Sequence, residues 1–151
     1  MNDVPPLPAL SHTLSELVDG VLGWIIEKVE AGEGFSVLMI SRHADGTRAS
    51  HYHADSVEEG VDLALAALRS DLAGAVAYAM AFDARARDAE GERCIFLSRV
   101  EEAGMPRAHE LALLYELHQD DERRRVAPAR HLHPTGRTYP AALALAGRAS
   151  P

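Results

Sequence analysis

The stretch His51-Tyr-His53-Ala-Asp55 brings two imidazoles and a carboxylate close together in sequence. On a strand, residues i and i+2 share a face, so His51 and His53 are expected to point the same way. Together with Asp55 they form a donor set that suits zinc or iron. A complete site would need further ligands from elsewhere, and His43, His109 and Asp83 are the candidates. The plainer alternative is an exposed strand end that runs into a helix N-cap at Asp55 or Ser56. No full ligand motif is present, and apart from zinc or iron no cofactor is expected.

Other groups carry less. His131-Leu-His133-Pro134 is a second histidine pair, placed in a basic stretch that reads as a solvated tail. Cys94 alternates with Phe96 along a strand, where a lone cysteine behaves as a small apolar residue. Glu101-Glu102 and Asp120-Asp121-Glu122 are acid clusters. Adjacent side chains on a strand point apart, so no acid–base pair is expected from them. The phosphate-cradling glycine motifs, the G-x-S-x-G elbow and H-E-x-x-H are all absent from the sequence.

The elements that must position these residues follow from periodicity. Pro5, Pro6 and Pro8 predict an extended arm over 1–10. Thr13-Leu-Ser-Glu16 reads as a capping box, and Leu14, Leu17, Val18, Val21, Leu22, Ile25 and Val29 form one helical stripe after it. Gly32 and Gly34 end that helix. The run Phe35 to Ile40 predicts a buried strand, with Val37 and Met39 in the main core. Asp45-Gly46 signals a tight hairpin turn into a partner strand from Thr47 to His53.

A second capping box, Ser56-Val-Glu-Glu59, precedes an apolar stripe of Val57, Val61, Ala64, Leu65 and Leu68. From Gly74 on, Val76, Tyr78, Met80 and Phe82 alternate with alanines. That predicts a strand with one bulky face and one alanine face that admits close approach. Asp88 to Gly91 is a turn, Cys94 to Val100 a strand, and residues 108–117 a final strand, with a helix over Ala108 to Leu117 as the competing reading. The expected fold is α+β, a five-stranded, mainly antiparallel sheet with two helices in the order α-ββ-α-βββ. Residues 11–117 form the domain and 118–151 a basic tail.

Composition sets the limits. A chain of 151 residues with 47% hydrophobic and 25% charged residues suits one domain with an ordinary core. One cysteine permits no disulfide within the chain, which fits a cytoplasmic setting. The first ten residues lack the pattern of a signal peptide, and no apolar run is long enough to span a bilayer. Arginine outnumbers lysine 14 to 1, which points to a GC-rich bacterial genome. The net charge of −8 divides into −14 over residues 1–122 and +6 over residues 123–151. An acidic body argues against nucleic acid as the main partner. The basic stretch is expected either to stay mobile or to dock across a dimer, anchored by Leu132, Tyr139, Leu143 and Leu145.

Two resemblances bear on function. The element order over residues 11–117 resembles the roadblock/profilin-like fold, which implies a dimerising or scaffold module. Glu102, Ala103, Gly104, Pro106, Arg107 and Ala108 resemble a turn motif of uncharacterised small bacterial proteins and imply no site. The functional expectation is a non-catalytic protein-interaction or scaffold module that self-associates as a homodimer. The alternatives are a metal-binding protein or metal-dependent enzyme centred on His51 and His53, and a small-ligand binder using the sheet–helix cleft.

Overall fold

Two apolar helical stripes and one strand with unlike faces decide the layering. The computed structural model describes residues 10–33, 36–84, 86–88, 91–120, 123–128 and 131–143, with side chains left aside at 86–88, 91–93 and 119–120. All of the expected arm except Leu10 lies outside the described residues, as do Gly34, Phe35, Asp121, Glu122 and Leu145.

Helix α1 spans His12–Glu30, and all seven residues of its predicted stripe are buried. Its cap is Ser11, whose hydroxyl accepts the Leu14 N–H at 3.1 Å. The helix thus begins ahead of the expected capping box at Thr13. Helix α2 spans Val57–Leu68 and is capped by Ser56, which accepts the Glu59 N–H at 3.1 Å. Gly60 and Val61 are buried toward the sheet.

Strands β1 (Val37–His43) and β2 (Gly46–Tyr52) form the predicted hairpin. Gly46 holds φ +137° at its turn, a conformation that suits glycine. β1 pairs on its other side with β3 (Ala77–Asp83), and β3 pairs with β5 (Gly91–Glu102). β5 pairs with β6 (Arg107–Asp120). β4 (Ala86–Asp88) is a short ribbon on β5, with Asp88 opposite Gly91 at the predicted turn.

The expected five strands are corrected to seven in the main sheet, because the basic C-terminal stretch supplies two more. β7 (Arg123–Pro128) pairs with the far half of β6, and β8 (His133–Pro140) with its near half. With β4 included, the order after α2 is six consecutive strands, not three. Both added strands are edges, where a proline costs no ladder hydrogen bond if its nitrogen faces outward. Their burial is slight, and only Val126 is buried in β7. A weak apolar pattern rich in arginine and proline therefore reads as tail although it pairs as sheet.

The two faces divide as the β3 alternation predicts. Ala77, Ala79 and Ala81 meet α1, whose stripe packs there with Leu38, Phe96, Val100 and Leu111. Tyr78, Met80 and Phe82 meet α2 on the other face, with Val37 and Met39. Val37 and Met39 are fully buried, as expected. The result is a sheet with one helix on each face.

Candidate functional site

α2 covers only part of its face of the sheet. One row of register partners runs Met39, Met80, Arg99, Glu110 across β1, β3, β5 and β6. The two methionines lie in the core with α2. Beyond them the same row presents a cation and a carboxylate to a cleft of about 490 Å³. Val57, Glu58, Val61 and Asp62 of α2 form one wall, and Phe82 and Leu97 form the apolar base. Arg137 and Tyr139 of β8 form the far wall.

The polar groups of this cleft are tightly ordered. Both oxygens of the buried Glu110 carboxylate accept hydroxyl donors, from Thr135 at 2.8 Å and from Tyr139 at 2.7 Å. Burial, and then the bond to Glu110, push the Tyr139 phenol up, so it remains a protonated donor at neutral pH. The Arg99 guanidinium stacks on the Tyr139 ring, 3.6 Å from its centroid. Arg99 Nε is buried with no acceptor. Among the described residues neither Arg99 nor Arg137 has a carboxylate ion-pair partner.

A second carboxylate anchors the far wall. Glu101 is fully buried and accepts the Tyr78 hydroxyl at 3.0 Å and the backbone N–H groups of Ala142 and Leu143 at 2.9 and 3.1 Å. Its neighbour Glu102 points the other way and is half-buried, as alternation requires. Glu101 thus ties the chain after β8 to the centre of the sheet.

Comparison with protein-family models, with curated proteins and with solved structures finds no match for this chain. Any functional reading therefore rests on the geometry.

The histidines singled out by sequence lie on the opposite face. His51 and His53 do share a face, with ring centroids 4.0 Å apart. Their neighbours belong to α1: Trp24 meets the His51 ring edge-on at 6.4 Å. His51 is half-buried, and burial, His53 and Lys28 hold its imidazole below the usual range against the pull of Glu33. Asp55 is exposed just before the α2 cap, and its N–H donates to Glu59.

None of the proposed additional ligands joins the pair. His43 faces α2 and bonds Ser41 at 2.9 Å. Asp83 accepts the Tyr115 hydroxyl at 2.9 Å. His109 sits on β6, four strands from β2. Among the described residues no group of three or more His, Cys, Asp or Glu side chains is placed to hold a metal ion. His131 and His133 are exposed, and His133 opens β8. Cys94 is half-buried at the margin of the α1-side core.

Arg99, Glu110, Arg137 and Tyr139 escape a motif search because their grouping depends on register. A partial signal does exist: Glu110 shares its face with Ala108 and Ala112, and Arg99 shares its face with Leu97 on one side and Glu101 on the other.

Proposed function

We propose that this chain is a non-catalytic binding module, and that the cleft beneath the first turns of α2 receives a small molecule. One observation carries the reading: an open cleft sets apolar side chains beside two guanidinium groups that have no carboxylate ion-pair partner among the described residues. Ligand sites combine apolar surface with fixed polar groups, and this cleft holds both, with polar groups making up a larger part of the lining than in most. The chemistry of the lining supports binding over catalysis. Each oxygen of Glu110 already accepts a hydroxyl donor, and Tyr139 keeps its proton. No thiol, imidazole or amine is among the described side chains of the cleft.

The test is a thermal-shift screen with neutral, cationic and anionic small molecules, repeated on Val57→Trp. Val57 is half-buried at the mouth, so an indole there fills the cleft with little change to the core. A bound ligand raises the melting temperature by mass action, and Val57→Trp abolishes that rise. A screen without hits, or hits indifferent to Val57→Trp, refutes the reading.

Self-association is a second reading, supported by the outer edge of β2, which among the described residues has β1 as its only sheet neighbour. Thr47, Arg48 and Ala49 on that strand are exposed. A second copy of β2 added along the edge would continue the ladder. Sedimentation should then give a dimer, reduced to monomer by Thr47→Lys with Ala49→Lys. A monomer for the unaltered chain at micromolar concentration removes this reading.

A further inference from the structure

We infer that the ligand of the α2-side cleft is a small organic monocarboxylate with an apolar body, its head held by Arg99 and Arg137. The inference rests on the cleft being a binding site and adds the class of molecule it takes. Four observations lead to it.

The first is charge. Arg99 is half-buried beneath α2, and the carboxylate opposite it in register, Glu110, is engaged by Thr135 and Tyr139. A guanidinium keeps its charge at any physiological pH, so Arg99 remains a cation that lines the cleft. The second is hydrogen bonding. Arg99 Nε lacks an acceptor although it is shielded from solvent. That nitrogen is closed off from the cleft, but the residue lines it, and a carboxylate, which accepts parallel N–H bonds, suits the outward N–H fork of a guanidinium that has no carboxylate ion-pair partner among the described residues. Tyr139, stacked against the guanidinium, fixes the plane in which that fork lies.

The third is shape and polarity. Val57, Val61, Phe82 and Leu97 give the cleft an apolar side on which a hydrocarbon body can lie. The fourth is the rim. Glu58 and Asp62 on α2 are exposed and line the same cleft. Their charges oppose a second negative charge on the ligand, so they select a monoanion over a phosphate dianion or a polyanion.

The experiment titrates hexanoate, hexanamide, hexylamine and hexyl phosphate into the full chain, followed by backbone amide NMR. Hexanoate is expected to shift resonances of β5 and β8 around Arg99 and Arg137. Hexanamide, which has the same body without the charge, should bind about tenfold more weakly or worse, as expected for loss of charged hydrogen bonds. Arg137 is exposed, so Arg137→Gln should fold normally; it should lower hexanoate affinity about tenfold and leave hexanamide unchanged. Arg99→Gln should do the same, and its melting curve checks its fold. Equal binding of hexanoate and hexanamide overturns the carboxylate assignment and leaves the cleft as a binding site. Tighter binding of hexyl phosphate overturns the monoanion. If none of the four probes perturbs the cleft, both the ligand class and the binding site are wrong.

Discussion

A single imidazole gives the sharpest check on the local environment. His51 lies edge-on to Trp24, the only tryptophan in the chain. Burial first, then the neighbouring His53 and Lys28, disfavour its protonated form. Its folded pKa is therefore below the ordinary 6.5 of the unfolded chain. The sign follows: the unfolded state takes up the proton first, so the contribution is complete above about pH 6.5 and is lost as the pH falls from there through the folded value. His43, desolvated against Ser41, acts in the same direction. Protonated imidazole quenches indole, so Trp24 fluorescence should drop on acidification with a midpoint below 6.5. His51→Gln should remove that step. A midpoint at or above 6.5 contradicts the described packing. The pair was legible in the sequence as two histidines on one face. What sequence could not supply was the neighbourhood: His43, Asp83 and His109 lie on other strands of the sheet, and among the described residues no third ligand is placed with the pair.

At the scale of elements, two glycines test how closely helix and sheet approach. A methyl group on Gly60 would sit 2.8 Å from Val37 Cγ2, inside van der Waals contact. On Gly23, in the exposed face of α1, it would meet nothing within 4 Å. Helix propensity alone favours alanine at both sites by about 0.5–1 kcal/mol. At Gly23 nothing opposes that gain, so Gly23→Ala should stabilise by roughly that amount. At Gly60 overpacking costs about 1–3 kcal/mol and wins, so Gly60→Ala should destabilise by about 1–2 kcal/mol net. Urea unfolding of the two variants measures both; a stabilised Gly60→Ala would mean that α2 sits farther from β1 than described. The helices themselves were legible because their stripes are long and regular, and β3 because alanine alternates with bulky residues. The β5–β6 hairpin was legible from its turn. β7 and β8 were not: Arg123, Arg124 and Arg125 are all exposed, so no period-2 signal marks their strand.

For the whole molecule, those two strands decide whether the basic C-terminal stretch is an appendage or part of the structure. Together they cover the outer edge of β6, and Val126 N–H also donates to Glu30 of α1 at 3.0 Å. The stretch also satisfies two buried carboxylates. Removing everything after Glu122 would leave Glu110 without the Thr135 and Tyr139 hydroxyls, and Glu101 without the Ala142 and Leu143 N–H groups. Glu101 would keep only the Tyr78 hydroxyl, and each buried carboxylate deprived of donors in this way costs about 1–3 kcal/mol or more. Val126, Ala142 and Leu143 also cease to cover the core, and β6 gains an open edge. Against a total stability of about 5–15 kcal/mol, these losses together are enough to unfold a domain of this size. The truncated chain is therefore expected to lack a cooperative melting transition or to melt more than about 10 °C lower. A graded version separates the carboxylates from the edge. Tyr139→Phe with Thr135→Val removes the donors to Glu110, and one exposed acceptor of the Arg137 N–H, while preserving shape, and should cost a few kcal/mol in urea. An unchanged melting temperature after truncation would return residues 123–143 to the status of a tail, and the far wall of the cleft would go with them.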